Sequence, residues 1–104
     1  MIEQVRELLP LQKQWTQLAE EAVELAHAAL KVARTLDDEN PTPVSYNEAI
    51  RNVHEEIADV ELLLRVLDLK GQGDMALRSI IMRDKLRRWI GRLKDKGGKR
   101  CGNT

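Results

Sequence analysis

Residues 11–36 read LQKQWTQLAEEAVELAHAALKVARTL. Apolar side chains return at Trp15, Leu18, Ala22, Leu25, Ala29, Val32 or Ala33 and Leu36. That three-and-four alternation belongs to a helix with one face turned to a core; a strand would alternate every second residue. The same stretch carries Glu21 and Glu24, which are three apart. On a helix they are neighbours, with Cβ atoms roughly 5–6 Å apart. Further along, residues 45–69 repeat the arrangement. Ile50, Val53, Ile57, Val60, Leu64 and Leu67 form a seam, and Glu56 with Asp59 makes a second acidic pair. Between the two lies DDENPTPVSYN (37–47), whose two prolines and turn formers break the helical pattern.

The outer segments are read in the same way. Ile2, Val5, Leu8 and Leu9 make a short amphipathic start, stopped by Pro10, which disfavours helix at the residue before it. The segment KGQGD (70–74) ends the third helix, with Asp74 as N-cap of a fourth. That helix is expected to reach about Lys94, with Leu77, Ile80, Ile81, Trp89, Ile90 and Leu93 apolar and Gly91 as a mild weakness. The fold class expected is all-α, a bundle of about four helices. Residues 1–95 are expected to form a single domain and 96–104 a flexible tail.

Composition agrees. The chain has 104 residues and 11.9 kDa, three aromatic residues and no Phe. Leu, Ala, Glu, Lys and Arg favour helix over strand. A core of this size is thin, so association with further copies is a natural way to bury more surface. Apolar runs fall far short of the roughly 20 residues a membrane span needs. The start MIEQVRELL lacks the basic-then-apolar order of a signal peptide. Cys101 is alone, which excludes an internal disulfide and fits a reducing compartment. A cytoplasmic location with no membrane partner is expected.

The net charge of zero conceals a division. Residues 83–100 hold nine basic residues (Arg83, Lys85, Arg87, Arg88, Arg92, Lys94, Lys96, Lys99, Arg100) against Asp84 and Asp95, a net of +7. The remainder of the chain therefore carries −7. An acidic body and a basic helix either bind each other or meet at a ligand, and a metal–phosphate ligand uses both signs.

A helical wheel sorts the carboxylates. Glu21 and Glu24 fall on the side of Leu18, whereas Glu20 points to the far face. Glu56 shares its direction with Leu63 and Leu67, and Asp59 shares its direction with Leu63 and Val66. Charge in an apolar sector is costly unless paired or metal-bound. Acidic pairs at this spacing are common on solvated helices. Two of them on adjacent helices, one in an apolar sector, favour a site. Clustered carboxylates repel one another unless neutralised, and the usual neutraliser is a hard divalent cation such as Mg²⁺. Lys85, Arg88 and Arg92 form one stripe of the last helix and are candidate phosphate contacts, Arg offering bidentate geometry. A solvated basic face is the bland reading of the same stripe.

Other chemistry is weaker. Glu24 and His27 make an ExxH, but His54 has Arg51 three residues before it, so the second ExxH of a di-iron bundle is missing. His27 and His54 read as ordinary helix residues, and Trp15 as core. Tyr46 lies near the loop, close enough to approach a base, and is weighed against an ordinary structural role in the same way as Trp15. Cys101 has no acid–base partner nearby.

These motifs resemble the all-α nucleoside triphosphate pyrophosphohydrolases, the MazG-like group that includes dimeric dUTPases, dCTP pyrophosphatases and phosphoribosyl-ATP pyrophosphohydrolase. The signature is EExxE on one helix and ExxD on the next. Glu20-Glu21-Ala22-Val23-Glu24 matches the first and Glu56-Ile57-Ala58-Asp59 the second. The contexts QLAEEAVELAHA and EEIADVELLL, and the basic segment KLRRWIGRL, extend the likeness over about residues 11–93. Glu24 and Glu56 are separated by 31 residues, at or beyond the long end of the family's range. The extra length falls in the Pro-rich connection, where insertion costs little.

The resemblance implies a MazG-like bundle completed by oligomerisation, as a homodimer or homotetramer. It implies Mg²⁺, with Mn²⁺ as a substitute, held by Glu21, Glu24, Glu56 and Asp59, with Glu20 assisting in catalysis. The substrate would be a nucleoside triphosphate and the products a monophosphate and pyrophosphate. The rival expectation is a non-catalytic helical protein whose segment 83–100 binds nucleic acid or an acidic partner through sequence-independent phosphate or carboxylate attraction. Nucleic acid is the lesser expectation, because Leu86, Trp89, Ile90 and Leu93 interrupt the basic segment.

Overall fold

The computed structural model describes residues 1–37 and 43–102, the side chains of 97–102 left aside. Among the described residues there are four helices and no strand, so the all-α expectation holds. They are α1 (Ile2–Leu8), α2 (Leu11–Thr35), α3 (Tyr46–Val66) and α4 (Gln72–Gly102). None of them is long and apolar enough to cross a membrane. The chain divides into two compact units, Met1–Leu69 and Lys70–Thr104.

The first unit is α1 to α3. Pro10 has φ −57° and ψ 148° and stands immediately before α2, where its missing N–H is no loss. The buried Gln14 turns back to donate from Nε2 to the Leu9 carbonyl at 2.8 Å, closing the corner between α1 and α2. Ser45 caps α3, its Oγ accepting from the Glu48 N–H at 3.2 Å, half of the Ser-x-x-Glu capping arrangement.

The C-terminus of α3 falls at Val66, three residues before the expected Leu69. Asp68 enters the left-handed region at φ 59°. Its N–H donates to Arg65 O at 3.0 Å, and the Leu69 N–H donates to Leu64 O at 2.8 Å. This is a Schellman ending, with Asp where glycine is usual. Arg6 of α1 completes it. Its Nε donates to Val66 O at 2.8 Å and its Nη2 to Arg65 O at 2.6 Å, while Nη1 holds Glu3 at 2.7 Å. The guanidinium thus adds a partner to Val66 O and a second one to Arg65 O, which also accepts from Asp68, and sits at the negative end of the helix dipole.

Since α1 directly precedes α2 and meets the end of α3, α2 and α3 run antiparallel. The inward positions of α2 are Gln14, Leu18, Glu21, Leu25, Ala28, Val32 and Thr35. Those of α3 are Ala49, Val53, Glu56, Val60, Leu63 and Leu67, with Ile50, Leu64 and the buried Val66 beside them. Both lists alternate by four and three, the spacing of a helix-pairing seam. They correct the expected seams by one position in alternate turns. Trp15, Ala22, Ala29 and Leu36 lie outside, with Trp15 half exposed.

In the second unit, α4 starts at Gln72, so Asp74 lies in its first turn, not at the cap. A carboxylate there still complements the helix dipole. Helical backbone continues past the expected end at about Lys94, through Gly97 and Gly98 to Gly102. Glycine lowers helix stability by only about 1 kcal/mol per residue and does not forbid the conformation. The expected turns at 38–42 and the last residues of the tail, 103–104, lie outside the described residues.

Candidate metal centre

The acidic motifs meet where the two seams are interrupted. Glu21 and Glu56 occupy seam positions of α2 and α3. One heptad to either side of them are Gln14 and Ala28 on α2, and Ala49 and Leu63 on α3. All four of these flanking residues are buried. The glutamate layer lies between two closed layers yet is itself only half-buried. An apolar pair here would extend the core; this chain places two carboxylates there instead.

Asp59 joins them, one turn along α3 from Glu56. One oxygen from each of Glu21, Glu56 and Asp59 lies within 4.8 Å of the others. Gln17 orients the first, its Nε2 donating to Glu21 Oε1 at 2.8 Å. That positioning residue was missed in the sequence, although its i, i+4 spacing to Glu21 is a known helix pairing. Glu56 and Asp59 make no hydrogen bond or ion pair among the described residues.

The electrostatics follow. Glu56 is held above the usual carboxylate range, first by burial and then by the like charges of Asp59, Glu21, Glu24 and Glu55. Neighbouring Arg51 is engaged with Glu55 at 3.7 Å. Three hard oxygen donors from two helices, one of them reluctant to ionise alone, suit a small divalent cation that keeps several waters.

The remaining predicted residues are placed differently. Glu24 is exposed and outside the 4.8 Å set, though its charge still acts on Glu56. Glu20 is exposed and also outside the set. Lys85, Arg88 and Arg92 are exposed on α4, in the second unit. They line an open groove with Met82, Leu86 and Trp89. Arg88 pairs with Asp84 at 3.2 Å, which occupies part of its charge. His27 and His54 are exposed and belong to no metal-binding group among the described residues.

No protein-family model, curated protein or solved structure matches this chain.

Proposed function

We propose that this protein is a Mg²⁺-dependent nucleoside triphosphate pyrophosphohydrolase of the MazG-like kind, a cytoplasmic enzyme working as a homodimer or homotetramer. The observation that carries the reading is the meeting of Glu21, Glu56 and Asp59 within 4.8 Å. Glu21 and Glu56 stand in the middle of the α2–α3 seam, between layers in which Gln14, Ala28, Ala49 and Leu63 are buried. Asp59 stands beside them, and no cation is paired to any of the three among the described residues. Three unneutralised acids this close weaken the fold, so their presence points to chemistry that needs them.

Mg²⁺, or Mn²⁺ in its place, when bound, would supply the positive charge and the polarised water that phosphoanhydride hydrolysis requires. Glu21, Glu56 and Asp59 are the residues that would hold it, with Glu24 adding negative charge at the rim. Gln17 fixes the Glu21 carboxylate, so that one donor is oriented before any ligand arrives. Glu20 is retained only as an outer assistant. One water adds across the α–β anhydride, giving a nucleoside monophosphate and pyrophosphate. Lys85, Arg88 and Arg92 supply cations on one side of α4 of the type that triphosphate oxygens attract.

The test is a panel of ribo- and deoxynucleoside triphosphates, with phosphoribosyl-ATP added, assayed with Mg²⁺ for pyrophosphate release. The wild-type chain should release pyrophosphate from at least one, and Glu56→Gln should reduce that release by about 10²-fold or more. No release from any of them, together with salt-sensitive binding of DNA or RNA, would overturn the enzyme reading in favour of a nucleic-acid-binding helical protein.

A further inference from the structure

We draw no further inference here: the strongest candidate, the outward alanine-rich stripe of α2 that runs from Trp15 through Ala22 and Ala29 to Leu36, is an exposed apolar face, and nothing in the structure shows what covers it.

Discussion

The paired seams of α2 and α3 and the exposed seam of α4 use the same heptad spacing and treat charge in opposite ways. In the first unit, Gln14, Ala28, Ala49 and Leu63 are buried, and acids stand in the middle, at Glu21 and Glu56. On α4, Met75, Met82, Leu86, Trp89 and Leu93 are apolar and exposed, and cations line one edge at Arg78, Lys85 and Arg92. Charge within a seam opposes packing and makes sense as a binding centre; charge beside a seam does not oppose packing. The two regions should therefore answer differently to the same kind of substitution.

The largest contrast is expected from truncating one leucine in each. Leu63→Ala should cost about 3 kcal/mol in urea unfolding, because it opens a cavity within a buried layer. Leu86→Ala should stay within about 0.5 kcal/mol, as an exposed position does. Equal costs would break the distinction. Next comes the anchor at the end of α3. Arg6→Ala removes two charge-assisted hydrogen bonds to Arg65 O and Val66 O, and should cost about 1–2 kcal/mol by thermal melting, with partial exposure reducing the figure. The smallest effect has the opposite sign. Asp68→Gly should stabilise by about 0.5–1 kcal/mol, because φ 59° suits glycine better than an L side chain. An unchanged or lower midpoint would count against the Schellman ending as described.

Much of this was legible in the residues. Pro10 and the apolar periodicity marked α2 almost to the residue, and the i, i+3 acidic pairs marked the centre. The register was not. Counting hydrophobic residues selects Trp15, Ala22, Ala29 and Leu36, but the packed face of α2 runs through Gln14, Glu21, Ala28 and Thr35. Two of those polar groups have work that hydropathy does not register: Gln14 closes the α1 corner, and Glu21 belongs to the acidic centre. Arg6 was illegible for another reason. Its partners are carbonyls some sixty residues away, and only the folded chain brings them within reach. Glu24 was grouped with the quartet by its spacing from Glu21, by the helical wheel and by the family resemblance, whereas on α2 it is exposed and lies outside the 4.8 Å set.

As proposed above, Glu21, Glu56 and Asp59 form a cation site at the fold's expense. Thermal melts of the wild-type chain and of Glu56→Gln, each with and without Mg²⁺, test it most directly. Glu56 titrates above its unfolded value, so its contribution to stability is present at acid pH and lost as pH rises through the folded value. Without metal at neutral pH, Glu56→Gln should therefore melt higher than wild type, and the gap should close as pH falls below the ordinary carboxylate range. Mg²⁺ should raise the wild-type midpoint with concentration and leave Glu56→Gln nearly unmoved. A wild-type chain that ignores Mg²⁺, or a Glu56→Gln chain that responds to it equally, would contradict the account.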